Sequence, residues 1–349
     1  MAKKVMTVLG PIDENSIGKT LMHEHCLVAS VDAYADTDND DPEYQAFLRS
    51  EICPENRQRI IFNMHKHLSN TENQDEELSI KELKYFKSAG GGTVVDVTTP
   101  GIGRDAEALV RISKATGLNI VASTALYIEG TWPEKFRTMS QQQLTDFFLD
   151  EIRNGIDGTG IKPGYIGEVG MNDAWTNDEV KSLRAAGDAC IESGLSMTVH
   201  QPIFKTYGER VLDVLEEQGV DLDKVVLSHC DGTIPNYDYH VSLLERGCRL
   251  QIDEFMMEFP VTYGPYVKHW LPRDIDRIRH IKRLCDAGYE DRITVSYDLG
   301  AFKTLYKTYG GGGYAHILEN LWDFFIFEGV TETQLNKILV ENPKSILAR

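Results

Sequence analysis

Short β-branched, apolar runs alternate with amphipathic stretches from one end of the chain to the other. Between the runs lie stretches such as EELSIKELKYFKSAG (76–90), in which apolar residues are three and four positions apart and a glycine ends the pattern, as in an amphipathic helix. The stretch RDAEALVRISKATG (104–117) repeats this arrangement. The pattern predicts eight strands, at positions 20–29, 93–99, 120–128, 165–171, 196–201, 224–231, 249–255 and 293–300.

Eight strand–helix repeats with mostly short connections predict an α/β fold, the parallel (β/α)₈ TIM barrel. A doubly wound sheet is the alternative, but eight evenly spaced units without a GxGxxG turn favour the barrel. Residues 1–19 are predicted to form a small β hairpin or lid across one end. Residues 30–75 form an insertion after the first strand, with a predicted helix at 55–69. No linker or internal repeat interrupts the chain, so we expect a single domain over 1–349.

Composition narrows the class of partner. The net charge of −18 argues against nucleic acid and against an anionic membrane surface, both of which attract clustered Lys and Arg. The six cysteines are scattered without a CxxC pair, which favours free thiols in a reducing compartment. The N-terminus lacks the apolar run of a signal peptide or membrane span. We expect a cytoplasmic protein that acts on a small molecule; a homodimer is left open.

The predicted strand ends carry a set of ionisable side chains, and barrel enzymes place their chemistry at those ends. In TLMHEHCLVA (20–29), His23 and His25 point to the same side of the strand because side chains alternate, whereas Glu24 points to the other. A lone buried histidine is more often a hydrogen-bonded core residue, so the prediction depends on the whole set. The candidate metal ligands are His23, His25, Glu168, His200, His229 and Asp298.

Converging imidazoles would repel one another if they were protonated. If they were neutral and unpaired, each would be a buried polar group without a hydrogen bond, which is unfavourable. A divalent cation resolves both problems, because neutral imidazole is a good ligand. Four histidines and two carboxylates are more ligands than one tetrahedral site needs. They suit two ions roughly 3.5–4 Å apart that are bridged by a carboxylate and a hydroxide. Zinc is the expected metal, with manganese, cobalt or iron as alternatives. The other histidines, His65 and His67 among them, are not expected to be ligands.

The chain resembles the phosphotriesterase-like branch of the amidohydrolase superfamily, and in particular its phosphotriesterase-related (homology) proteins. The motifs that carry the resemblance are TLMHEH, VVDVTTPGIGRD, GIKPGYIGEVG, MTVHQP, VVLSHCD, ITVSYDLG, GGGGYAHIL and ILVENPKSIL. The resemblance implies that His23, His25 and Asp298 hold the more buried ion and that His200 and His229 hold the more exposed one. It also implies that Glu168 bridges the ions where organophosphate-cleaving and lactone-cleaving members use a carboxylated lysine.

The expected reaction is hydrolysis of a carboxylic ester or lactone by a metal-bridging hydroxide, because two dications lower the pKa of a shared water from about 15.7 towards about 7. Asp298 is the expected proton acceptor. Tyr127 matches a tyrosine that in related lactonases reaches the metal-bound hydroxide. It could equally be an aromatic residue at the rim that packs under a loop. Three roles are open for Asp231: it could hydrogen-bond a ligand, relay protons or cap the helix that follows. The alternatives are an amidohydrolase of small N-acylated compounds, a weak phosphotriesterase and, outside enzymes, a small-molecule-binding barrel.

Substrate identity is predicted less sharply. Lactonases of this family often carry an arginine after the aspartate of the seventh strand, and Glu254 follows Asp253 here, which disfavours simple acyl-homoserine lactones. The methionines of QIDEFMMEF suggest an adaptable apolar wall or ordinary packing. Cations in nearby loops could attract an anionic or phosphorylated substrate, and the backbone of the glycine run at 310–313 could contact a phosphate. The same cations could equally be solvated loop charges. These cations are Lys268, Arg273, Lys303 and Lys307.

Overall fold

The computed structural model describes residues 3–29, 39–261 and 269–349 of the protein. A two-stranded antiparallel hairpin, β1 (Lys4–Thr7) and β2 (Gly10–Asp13), precedes an eight-stranded parallel sheet. Consecutive strands pair from first to last across the sheet. The sheet strands are β3 (Lys19–Glu24), β4 (Gly91–Asp96), β5 (Asn119–Thr124), β6 (Tyr165–Gly170), β7 (Met197–His200), β8 (Val225–Leu227), β9 (Arg249–Ile252) and β10 (Ile293–Val295).

The sheet closes on itself between its first and last strands. The backbone N–H of His23 on β3 donates to Ser296 Oγ just beyond β10, at 3.1 Å. The backbone N–H of Asp298 donates to the carbonyl of His23 at 3.2 Å. Together with the order of the strands, these contacts confirm the predicted (β/α)₈ barrel.

Helices follow every barrel strand and pack outside the sheet. Their ends carry the expected caps: the Asp105 side chain accepts from Ala108 N at the start of α4, and Gly117 ends that helix with a φ of 70°. Two π-helical turns, Ile317–Leu321 and Lys337–Glu341, lie next to the C-terminal helices. The α-helices of the described residues are α1 (Pro42–Leu48), α2 (Pro54–Ile61), α3 (Glu76–Ser88), α4 (Ala106–Thr116), α5 (Glu134–Arg137), α6 (Gln141–Asn154), α7 (Asn177–Ser193), α8 (Gly208–Glu217), α9 (Tyr237–Glu245), α10 (Asp274–Asp286), α11 (Trp322–Phe327), α12 (Glu332–Asn336) and α13 (Asn342–Leu347).

The barrel has a closed end and an open end. At the closed end the N-terminal hairpin joins the C-terminus, since Lys4 and Arg349 exchange backbone hydrogen bonds of 2.9 and 3.1 Å. Val5 and Ile17 pack there against Ile346 in a separate apolar cluster. The open end therefore holds the loops that follow the strands, where barrel enzymes place their sites. None of the helices in the described residues combines the length and apolar character needed to cross a membrane.

Several predicted boundaries differ from the structure. The strands end earlier than predicted: β8 stops at Leu227 and β10 at Val295, because the residues beyond them leave the extended conformation. His229 and Asp298 adopt φ values of 56° and 50°, which no strand accommodates. The inserted helix was predicted too long, since α2 ends at Ile61 and turns follow it. Residues 30–38 of the insertion lie outside the described residues.

Candidate metal centre

Glu168, at the end of β6, lies between all four candidate imidazoles. Its Oε2 atom is 3.5 Å from His23 Nε2 and 3.2 Å from His200 Nδ1. The same oxygen is 3.7 Å from His229 Nε2. The other oxygen, Oε1, is 3.4 Å from His25 Nε2. Glu168 therefore touches two groups of imidazoles at once, as a carboxylate that bridges two cations must.

Asp298 completes one side of this cluster. Its Oδ1 atom lies 3.1 Å from His25 Nε2 and 3.8 Å from His23 Nε2. The Asp298 side chain is 23% exposed, whereas that of Glu168 is 3% exposed, so Asp298 is the carboxylate that reaches the open pocket. All six candidate ligands, taken from five strands far apart in the chain, thus converge at one barrel mouth.

The ligand atoms are suited to divalent cations. Four of them are buried without a hydrogen-bond partner: His23 Nε2, Glu168 Oε2, His200 Nδ1 and His229 Nε2. Each such orphan costs about 1–3 kcal/mol in a folded protein, which a bound cation would offset. His23, His25 and Glu168 form one group with ligand atoms within 4.8 Å of one another, and Glu168, His200 and His229 form a second. The two groups share Glu168, and each could hold a cation.

Asp253, just beyond β9, orients two of the imidazoles. Its carboxylate lies 3.1 Å from Nδ1 of His23 and 3.1 Å from Nδ1 of His229, and it also accepts the backbone N–H of His229 at 2.9 Å. These contacts turn both Nε2 atoms towards Glu168. Asp253 forms a third possible ligand group with the two Nδ1 atoms, but those atoms face away from Glu168. We therefore assign Asp253 to orientation.

The charges of the cluster depend on one another. Burial by itself lowers the pKa of His23, but Glu168 and Asp253 outweigh it and raise that pKa to about 10. Conversely, burial by itself would raise the pKa of Glu168, and His23, His200 and His229 bring it well below its usual value. The two carboxylates therefore favour a proton on His23, and a cation that binds there must displace it.

Glu24, on the face of β3 opposite to the two histidines, positions Asp298. Its Oε1 atom accepts from Ser296 Oγ at 2.7 Å and from the backbone N–H of Tyr297 at 2.9 Å. Its Oε2 atom accepts from the N–H of Leu299 at 3.0 Å. These bonds flank Asp298 and hold it in a left-handed conformation that costs about 1–3 kcal/mol. The alternation of TLMHEH predicted that Glu24 points away, but not what it binds.

We expect Glu24→Gln to weaken both the fold and the metal centre. A glutamine offers one accepting oxygen where Glu24 uses two, so one buried donor loses its partner, at about 1–3 kcal/mol in the free energy of unfolding. Displacement of Asp298 should also lower kcat/KM about 10–100-fold. Urea unfolding and steady-state kinetics measure the two effects.

Glu82→Gln is the matched control, because Glu82 is equally buried and accepts from Lys307 N, Thr308 N and Thr308 Oγ1 away from the cluster. It should lose stability without a comparable loss of kcat/KM. Equal effects of the two variants on kcat/KM would contradict the positioning role of Glu24.

The cluster opens into a pocket whose other walls are mainly apolar. Tyr127 lies in the wall, with its ring 4.8 Å from the ring of His200. His65, which was not expected at the site, also lines the pocket, and burial lowers its pKa to about 3. Of the two methionines in QIDEFMMEF, Met257 lines the pocket. The pocket measures about 100 Å³, well above the minimum of about 10–15 Å³ that a single buried water needs.

Of the cations expected to attract an anion, the three that lie in the described residues, Arg273, Lys303 and Lys307, do not line this pocket. Lys307 pairs with Glu319, and Arg273 pairs with Asp276 at 2.9 Å. Lys268 lies outside the described residues. In the glycine run, the N–H groups of residues 310 and 311 donate to carbonyls of the same loop, so they do not offer a phosphate cradle.

Comparison with known proteins agrees with the motifs. The sequence model of the phosphotriesterase family matches residues 3–347. The chain is 37% identical to the N-acetyltaurine hydrolase of Homo sapiens over 349 residues, which cover 99% of this chain and 98% of that protein. It superposes with a TM-score of 0.93 on a resiniferatoxin-binding protein from Rhodobacter sphaeroides, at 33% identity and with 99% and 94% of the two chains covered. It also superposes on the phosphotriesterase homology protein from Escherichia coli, complexed with phosphate in its active site, with a TM-score of 0.76. The sequence identity is 25%, and the superposition covers 95% of this chain and 99% of that chain. The chain therefore belongs to the phosphotriesterase family of hydrolases, as its motifs indicated.

Proposed function

We propose that this protein is a metal-dependent hydrolase that cleaves the carboxamide of a small N-acyl compound. The observation that carries the hydrolase chemistry is the set of unpartnered ligand atoms around Glu168, inside a pocket. The bond type is supported by the N-acetyltaurine hydrolases, which match this chain over nearly its whole length. The carboxylic ester or lactone that the sequence analysis placed first is not confirmed, and the amide, its alternative, now leads.

Two groups of side chains would hold the cations. His23, His25 and Asp298 would hold one, His200 and His229 the other, and Glu168 would bridge them. Bound divalent cations would supply Lewis-acid polarisation of the carbonyl oxygen and would lower the pKa of water. Imidazole and carboxylate ligands suit zinc, and the same donors accept manganese, cobalt and iron. Elemental analysis of the purified protein identifies the native metal.

The side chains of the pocket perform the proton transfers. Asp298, the most exposed carboxylate of the cluster, takes a proton from the attacking water and returns it to the nitrogen of the leaving amine. Glu24 fixes the orientation of that carboxylate through its bonds to Ser296, Tyr297 and Leu299. Tyr127, beside His200, lines the side of the pocket from which a substrate carbonyl is reached. The space suits a short acyl group against the apolar wall.

A binding protein without turnover is the second candidate, because the Rhodobacter sphaeroides protein of the same fold is described by what it binds. Metal content separates the two functions. About two divalent ions per chain after supplementation support the hydrolase, and fewer than about one per chain support the binding protein.

We expect Asp298→Asn to lower kcat for N-acetyltaurine or a related N-acyl amine by about 10²–10⁴-fold, since the amide cannot accept a proton. The zinc-loaded wild type is assayed first against N-acyl amines, lactones, esters and organophosphates. Asp286→Asn, an exposed aspartate that ends α10, is the control and should keep full activity. Undiminished turnover in Asp298→Asn would remove this residue from the proton transfer.

A further inference from the structure

Glu254, one residue beyond Asp253, is a buried carboxyl whose side chain has no hydrogen-bond partner among residues 3–29, 39–261 and 269–349. Its exposed fraction is 2%, and its Oε2 atom is buried without any hydrogen bond. The residue lines the same pocket as His229 and Asp298. A buried acceptor that stays unpaired costs about 1–3 kcal/mol, so its presence in a pocket wall calls for a ligand that pairs with it.

The buried cation Arg277 does not fill this role. Arg277 is fully buried, but its donors are directed elsewhere: Nε donates to Asp231 at 2.5 Å, and its two terminal nitrogens donate to Pro272 O, Asp274 Oδ1 and Met257 O. Arg277 thus donates hydrogen bonds to Asp231 and Asp274 and none to Glu254.

We propose that Glu254 is a specificity-determining residue that accepts a hydrogen bond from the N–H of the scissile amide, and this inference rests on the proposed function. The carbonyl of a substrate would lie at the imidazole cluster, and the amide nitrogen is the next atom along. Glu254 lines the same pocket as that cluster, and its buried Oε2 has no partner among the described residues.

An ester cannot use this contact, because it carries an oxygen where the amide carries N–H. A carboxyl keeps an accepting oxygen whether or not it is protonated, so the contact does not depend on the charge of Glu254. Burial, followed by the neighbouring Asp231, raises the pKa of Glu254 well above its usual value. A neutral carboxylic acid fits a neutral N–H donor better than it fits an ammonium group.

The test compares two substrates that differ in one group: N-acetyltaurine and its ester counterpart, 2-acetoxyethanesulfonate. In zinc-loaded Glu254→Leu, the amide should lose about 10–100-fold in kcat/KM, and the ester should change less than about threefold. Glu254→Gln keeps an accepting oxygen and should retain most of the amide activity. Met257→Leu, in the same wall, is the control and should change both substrates equally.

Stability distinguishes this role from a structural one. Since the Glu254 side chain has no hydrogen-bond partner in the described part of the chain, Glu254→Leu should leave the melting temperature unchanged or raise it. If the wild type turns over the amide and Glu254→Leu loses kcat/KM equally on amide and ester, the specificity role is overturned. The proposed function is left intact by that result. Absence of amide turnover in the zinc-loaded wild type would overturn the proposed function itself.

Discussion

Glu168→Gln is expected to abolish binding of the cation pair and to lower kcat/KM by about 10³-fold or more. Glutamine has nearly the shape of glutamate but is neutral and turns an N–H₂ group towards the imidazoles, so it cannot serve both ligand groups. Several kcal/mol of charge stabilisation would be lost, and each 1.4 kcal/mol corresponds to about tenfold in rate. Elemental analysis after dialysis and steady-state kinetics measure the two losses.

Glu179→Gln is the matched control, because Glu179 is as buried as Glu168 and accepts hydrogen bonds from the backbone N–H groups of Glu129 and Asn172. It should keep its full metal content. A glutamate bridge also needs no carbon dioxide, so zinc loading of the wild type should be equal with and without bicarbonate. Two firmly bound cations in Glu168→Gln would contradict the bridging role.

Arg277→Met is expected to destabilise the fold by about 3–5 kcal/mol. Arg277 and Asp231 are both fully buried, and removal of the cation leaves a buried carboxylate without compensation. The effect should reach the metal centre, since Asp231 Oδ2 accepts the backbone N–H of Asp253 at 3.0 Å, and Asp253 orients His23 and His229. Urea unfolding measures the stability loss.

Arg279→Met is the control, because Arg279 is 59% exposed and pairs with Glu328 at the surface, where such pairs contribute about 0–1 kcal/mol. The double variant Asp231→Leu with Arg277→Met removes both charges and should recover part of the loss. Equal losses for Arg277→Met and Arg279→Met would show that the buried pair is not what stabilises this part of the barrel.

The periodic pattern was sufficient to predict the barrel and the positions of the six candidate ligands. Strand and helix periods are local properties, and the closed parallel sheet follows from their alternation. His23 and His25 share a face because side chains alternate along a strand, and the end of each parallel strand lies at the same mouth. The convergence of His200, His229 and Glu168 could therefore be predicted without coordinates.

Contacts between side chains from different strands could not be predicted in this way. Asp253 was identified in the sequence only as the aspartate of the seventh strand, and only the fold shows that it reaches both His23 and His229. Glu24 was predicted to point away from the pocket, but its three donors lie about 270 positions along the chain. The unpaired state of Glu254 likewise depends on where Arg277 directs its donors. Hydrogen bonds between distant segments depend on angles and on distances of a few tenths of an ångström, which periodicity does not encode. For that reason only the tertiary structure shows which side chains orient the candidate ligands and which one is left unpaired in the pocket wall.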